Sequence, residues 1–265
     1  MNILLFGDVV GKPGRIALKK AVPELRKKHG VDFVIANVEN LAHGFGITPD
    51  TIQELRDAEV DFFTSGNHVW KNEKGAQLLQ ANPRNILRPA NYPADRPGRG
   101  WSSVIVGGTA LCIINLMGQV FMPDEKNITS PFTAFDELYA AHGKDAITIV
   151  DLHAEATGEK RAFGWYVDGR ASVVVGTHTH VQTADEQILT QGTAYISDLG
   201  MTGATDSSLG MNKELVIKKV AQGLDISLEP PENPREVVAS GVLVSINTTT
   251  KRAENICRID QKVVL

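Results

Sequence analysis

Cysteine is scarce. Cys112 and Cys257 lie in apolar segments far apart in a chain of 265 residues, without the spacing of a disulfide framework or a zinc knuckle. Positive charge is also in deficit: 27 lysines and arginines against 31 aspartates and glutamates leave a formal net charge of -4. A protein that holds phosphate backbones through charge carries the opposite excess, so nucleic acid is not the expected partner. Long apolar runs are missing too. Met1 leads into NILLFGD with no positively charged region before it, and that run is far below membrane-spanning length. No membrane association is expected, and a cytoplasmic location fits. There is no repeat and no low-complexity tract. What remains, 42% hydrophobic and 22% charged residues, is enough to bury a sizeable core in one domain over residues 1–265.

The texture that is present alternates strand and helix. Residues 2–6 predict an apolar strand, 7–14 a glycine-containing loop, and 15–29 a helix whose Leu18, Ala21, Val22 and Leu25 share one face. Residues 32–38 predict a second strand. Thr48 then caps a helix that Pro49 opens, and residues 60–64 close a βαβαβ series that argues for a largely parallel sheet. Pro83, Pro89, Pro93 and Pro97 make 83–100 an irregular connection. Strands are expected at 103–106, 110–116, 146–152, 171–175, 193–196, 241–246 and 253–259, with helices at 131–142 and 212–222. Two sheets packed face to face with helices outside accommodate this α/β order, and so does a single wound sheet.

The chemistry sits where strands end. VVVGTHTHVQ, residues 173–182, carries His178 and His180; side chains alternate along extended chain, so both imidazoles would enter one pocket. An isolated H-x-H is more commonly one core and one surface histidine, and its company decides between the readings. Asp8 follows the first strand in LLFGDVVGKPGR, which is not a nucleotide-binding loop: the glycine spacing is one residue short, and Pro13 stands where magnesium needs Ser or Thr. Glu39 and Asn40 follow the second strand in IANVENLAHGFG; a carboxylate can bridge two cations and an amide oxygen is a neutral ligand, although both residue types also cap helices. FFTSGNHVW places Asn67 beside His68, and AITIVDLHAEATGEK ends a strand at His153. Asp151, Glu155, Thr157 and Glu159 offer acceptors for that imidazole or form a solvated acidic loop. That so many oxygen and imidazole donors occupy equivalent places is what favours one shared site. His43 reads as solvent-facing or substrate-adjacent, Phe45 and Trp70 as core or as base-stacking. SDLGMTGATDSSLGMNKE is equally a lid over the site or a plain connection, and its Asp198 and Thr202 stay outside the proposed set.

GD, GNH and G-x-H-x-H in this order resemble the calcineurin-like metallophosphoesterases. More closely, GDVVGKPGR, NVEN, SGNHVW, DLHAEATGEK, GTHTHVQTAD and SDLGMTG are similar to the YmdB-type bacterial 2',3'-cyclic nucleotide phosphodiesterases over nearly the whole length. The sequence departs from the broad superfamily in having Val10 where D-x-H would end, and in lacking a later GD-x-x-D; Glu39 and Asn40 would replace them. The resemblance implies a two-sheet sandwich flanked by helices in four αββα layers. It implies one divalent cation held by Asp8, Glu39, Asn40 and His180, and a second held by Glu39, Asn67, His153 and His178. The metals it suggests are iron or manganese. His68, beside a ligand but not one itself, would be the catalytic proton donor. A metal-bridging hydroxide would attack phosphorus in a cyclic nucleotide, and His68 would protonate the departing ribose oxygen.

Two other functions compete with this expectation. One is a phosphomonoesterase of broad specificity on the same dinuclear site. The other is a regulatory protein that uses metal for conformational stability. The expected partner is a small phosphodiester; a homo-oligomer, the physiological substrate and the cellular role are left open by the residues alone.

Overall fold

The computed structural model describes residues 1–122 and 127–265, so 123–126 of the expected domain lie outside the described residues. In chain order, β1 (Asn2–Phe6) and the two-residue β2 (Asp8–Val9) lead into α1 (Gly11–His29), β3 (Phe33–Asn37), α2 (Pro49–Asp57), β4 (Phe62–Thr64) and α3 (Glu73–Gln80). Then come β5 (Trp101–Val106), β6 (Thr109–Met117), α4 (Pro131–Leu138) with a π-helical turn at Tyr139–Gly143, β7 (Ile147–His153), α5 (Thr157–Val167) and β8 (Val173–Thr177). The chain closes with β9 (Gln187–Ile188), β10 (Ala194–Ile196), β11 (Met201–Ala204), α6 (Lys213–Gln222), β12 (Glu236–Ile246) and β13 (Ala253–Val264).

These strands make two sheets. The first runs β2-β11-β12-β1-β3-β4 with β13 paired to β12; the second runs β5-β6-β7-β8-β10-β9. Alternation along each strand sorts its side chains between two cores. Ile3 and Leu5 of β1 meet Ile147, Ile149, Val173 and Val175 of the second sheet between the layers. Leu4 and Phe6 face the other way, onto Leu18, Ala21 and Val22 of α1 and Leu55 of α2. On the far side, Val150, Val174 and Tyr195 pack against Phe135 of α4 and Phe163 of α5. The architecture is therefore the helix-flanked two-sheet sandwich, not a single wound sheet. Each fully buried Leu, Ile or Phe adds about 1.5–3 kcal/mol to holding it together.

β1, β3 and β4 are parallel to one another, as are β6, β7, β8 and β10. The carboxyl ends of the two sets meet: Asn37 of β3 and Thr64 of β4 donate to Asp151 Oδ2 of β7 at 3.1 and 2.5 Å.

Four local expectations need correction. α1 begins at Gly11 rather than residue 15, because Pro13 lies in a first turn whose N–H groups have no helical acceptor to lose. The acidic segment after His153 is a solvated loop only around Glu155: from Thr157 it is α5, which buries Lys160, Phe163, Gly164 and Val167, a complete helical stripe that a lysine at its first position hides from a hydrophobicity reading. α3, absent from the expected elements, buries only Gly75 and Leu79. Finally, residues 201–204 form β11, parallel to β2, so the glycine-rich stretch is partly built into the first sheet.

A candidate metal centre between the two sheets

The first sheet supplies oxygen. Asp8 opens β2 at 0% exposure; its Oδ2 accepts the His178 amide at 3.0 Å, while Oδ1 has no hydrogen-bond partner. Glu39 and Asn40 follow β3 and are buried to 1% and 2% exposure, and neither caps a helix, since α2 is capped by Thr48. Asn40 Nδ2 donates to the Gly44 carbonyl at 2.9 Å and faces His68 Nδ1 at 3.2 Å, leaving Oδ1 unpartnered. Asn67 follows β4, and its Oδ1 is likewise buried without a partner. The loop that carries it comes so close that a Cβ on Gly66 would run into the His153 ring and Glu39 Oε2.

The second sheet supplies nitrogen. His153 ends β7 fully buried, with Nε2 3.3 Å from Glu39 Oε1 and 3.0 Å from His178 Nδ1. Its other nitrogen meets Thr177 Oγ1 at 2.9 Å, and that hydroxyl donates to Asp151 Oδ1 at 2.8 Å. A hydroxyl has one proton, so Thr177 accepts from His153 Nδ1–H and leaves Nε2 as a lone pair. His178 Nε2 lies 3.3 Å from Glu155 Oε2; donation there turns the Nδ1 lone pair toward His153. His180 Nδ1 lies 2.9 Å from the Leu209 carbonyl, a contact that requires the proton there and points Nε2 at Asp8 Oδ1, 3.8 Å away.

The electrostatics follow from burial. Desolvation pushes the His153 imidazole down to about 4 and the His178 imidazole to about 3, so both rings are neutral near pH 7 and present lone pairs rather than protons. The same burial pushes the Asp8 carboxyl up, against the nearby His180 and His153 that pull it down. Neutral imidazoles, buried carboxylates and three orphaned oxygens converging on one space are costly together unless a cation enters. Glu39, His153 and His178 alone place ligand atoms within 4.8 Å of one another. The donor set therefore fits divalent metal, with the oxygen and imidazole mixture that iron, manganese and zinc accept.

His68 occupies the rim, its side chain 24% exposed. Its backbone N–H donates to Glu39 Oε2 at 2.8 Å, and its ring Nδ1 accepts from Asn40, which leaves the proton on Nε2. Burial pushes its imidazole down while Glu39 pulls it up. Phe45, 38% exposed, sets its ring 5.0 Å from His68 in an edge contact, so it is a rim residue and not core. Trp70 instead packs on Tyr92.

The two histidines of the THTH loop do not converge by alternation along an extended strand. β8 ends at Thr177, and His178 and His180 take left-handed backbone at φ 100 and 63. Such positions cost about 1–3 kcal/mol each and persist only when surroundings over-determine them. Here Asp8 holds the His178 amide, and Asp198 Oδ2 accepts the Thr179 amide and hydroxyl at 3.1 and 2.7 Å. Asp198 is itself paired with buried Lys160 at 2.7 Å, which also donates to the Thr177 carbonyl. Sequence reasoning left Asp198, Lys160 and Thr177 out. An aspartate two residues before a glycine and a lysine on a buried helical stripe were the available signals. Of the other acceptors considered, Glu159 turns away to the Gln119 and Val120 amides, and Thr157 merely opens α5.

The model of YmdB-like proteins matches residues 4–259. A 2',3'-cyclic-nucleotide 2'-phosphodiesterase from Bacillus subtilis (strain 168) is 46% identical over 260 residues, 98% of this chain and 96% of that protein. A hypothetical protein from Thermus thermophilus has a similar structure, with TM-score 0.90, 35% identity and 99% of both chains covered. A novel phosphatase from Mycoplasma pneumoniae gives TM-score 0.91 at 32% identity, covering 100% of this chain and 93% of that one. With the helix-flanked sandwich, the strand-end donors and a full-length match all in agreement, this chain belongs to the YmdB-like family.

Proposed function

We propose that the chain is a metal-dependent hydrolase, acting as one domain, that opens 2',3'-cyclic nucleotides to nucleoside monophosphates. The observation that carries it is the trio of buried, unpartnered oxygens on Asp8, Asn40 and Asn67, facing neutral imidazoles across Glu39. Asp8, Glu39, Asn40 and His180 would hold one divalent cation, and Glu39, Asn67, His153 and His178 a second, with iron or manganese favoured. Such cations, when bound, acidify water and offset the charge that builds on phosphoryl oxygens.

The chain's own residues then divide the remaining work. Glu39 ties the halves together, since its carboxylate meets both His153 and the His68 amide. To act as an acid the rim residue His68 needs a second proton, and Glu39 Oε1, 3.5 Å from its Nδ1, is placed to stabilise that imidazolium while Nε2 gives its proton to a leaving oxygen. Water adds its oxygen to phosphorus and gives up a proton to solvent, the phosphorus–oxygen bond to the ribose breaks, and His68 as imidazolium passes a proton to that oxygen, leaving a neutral ring that solvent reprotonates, a step typically worth about 10²–10⁴ in rate. By the name of the Bacillus subtilis relative, the bond broken is the one to the 2' oxygen. The substrate remains a small molecule in this reading. No helix among the described residues is long and apolar enough to cross a membrane, and a cytoplasmic setting is part of the proposal.

The test compares a 2',3'-cyclic nucleotide with a nitrophenyl phosphomonoester at equal concentration, before and after chelation. Chelator-sensitive turnover favouring the cyclic diester supports the proposal. Faster monoester hydrolysis favours the phosphomonoesterase, and no turnover by fully metallated protein favours the regulatory alternative.

A further inference from the structure

A second cavity, of about 260 Å³, opens at the opposite end of the second sheet from the metal centre. Its walls come from the segments that precede the strands: Lys144 and Ala146 before β7, Gly169 to Ala171 before β8, Gln191 and Gly192 before β10, and the β12–β13 turn. β7 is seven residues long, and at roughly 3.3 Å per residue its two ends lie about 20 Å apart. The cavity is thus separate from the donors described above.

Its chemistry is one-sided. Lys144, Arg170, Lys251 and Arg252 line it together with the hydroxyl residues Thr249 and Thr250, and no carboxylate residue is among the lining residues. Arg170 is balanced, donating to Asp136 Oδ1 at 2.6 Å. The other three cations form no ion pair with a described carboxylate: Lys251 Nζ donates to the Lys144 carbonyl at 3.2 Å, and Arg252 to the Gln191 carbonyl. Those two bonds hold the turn against the segments before β7 and β10, so the cations are gathered by architecture rather than scattered. In a chain of net charge -4, three uncompensated cations in one concavity concentrate positive potential locally.

We propose that this cavity binds a small phosphate-bearing anion through Lys144, Lys251 and Arg252, with Thr249 and Thr250 as hydroxyl donors. Its volume falls just below the roughly 300–1,000 Å³ of pockets that enclose drug-sized ligands, which suits a phosphate with a small substituent better than a nucleotide. The inference stands apart from the proposed hydrolysis, because none of these residues touches the metal centre.

Calorimetric titration of the metallated protein at low salt is the test, with inorganic phosphate and glycerol 3-phosphate as probes and an RNA oligonucleotide as a third arm. Wild-type protein is expected to show two classes of phosphate site. Lys144→Ala combined with Lys251→Ala should weaken one class at least tenfold while cyclic-nucleotide turnover stays unchanged; Lys251→Ala alone guards against a folding defect in the double variant. Superimposable isotherms of wild type and variants, or a single class in the wild type, overturn the proposal. So does oligonucleotide binding that the variants lose without any change in phosphate binding.

Discussion

The two sheets contribute different elements to the same cleft. β2 and the loops after β3 and β4 bring the carboxylates of Asp8 and Glu39 and the amides of Asn40 and Asn67; the end of β7 and the loop after β8 bring the imidazoles of His153, His178 and His180. His68, the imidazole that the oxygen side sets at the rim, is the residue to which no metal is assigned. The difference teaches that neither half is a metal site by itself. Oxygen donors of the first sheet stay orphaned even with the second sheet beside them, because lone pairs cannot satisfy lone pairs, and the shared space is polar enough to demand a cation. It also explains why the two sheets are stitched near their carboxyl ends by Asp151, which takes bonds from Asn37, Thr64 and Thr177 and is pushed up to about 7 by burial.

Breaking the link between halves should cost most. Glu39→Ala removes the carboxylate that faces both sheets, and turnover is expected to fall by more than the ~10²–10⁴ of a lost proton donor, with metal depleted from both sites. Elemental analysis beside kinetics checks this, and full metal retention would reject the bridging role. His68→Ala comes next: turnover falls about 10²–10⁴-fold while the metal content stands. Metal loss in that variant would move His68 into the ligand set and erase the contrast drawn above.

A smaller effect sharpens the nitrogen side alone. Thr177→Val leaves His153 Nδ1–H and Asp151 without their shared hydroxyl, so metal affinity should drop by about 10–100-fold, and Thr177→Ser should restore it. Competition with a chelator of known affinity measures the change, and an unaltered affinity would show that His153 needs no such orientation. The smallest effect lies away from the cleft. Cys112 is 1% exposed on β6, and burial pushes its thiol up to about 11, so it should resist alkylation at neutral pH in folded protein and react only after unfolding. Mass spectrometry of labelled protein reads this directly, and rapid labelling of Cys112 would mean that the second sheet opens more freely than its packing implies.

Much of the cleft is legible in the sequence. Asp8, Glu39, Asn40, Asn67, His153, His178 and His180 are recognisable by lying at or just past strand ends, and the fold sets Asp8, Glu39, His153, His178 and His180 against one another; their service as metal ligands is part of the proposal. What failed was geometry that depends on distant partners. His178 and His180 were aimed by an extended-chain argument, yet they sit on left-handed backbone held by Asp8 and Asp198, residues far away or across a loop. α5 was hidden because Lys160 belongs to a buried stripe only when Asp198 is there to receive it. Phe45 could be core or rim, and only the fold set its ring beside His68.

By itself the sequence determined which side chains end strands and which chemistry they carry, because hydrophobic periodicity and turn residues are local properties. Tertiary structure decided which nitrogen of each imidazole is free, which carboxyls burial pushes up, and where cations gather on an acidic chain. Those depend on neighbours brought together from segments up to 170 residues apart, as the Asp8 to His178 bond is, and proton placement and desolvation exist only once such neighbours touch.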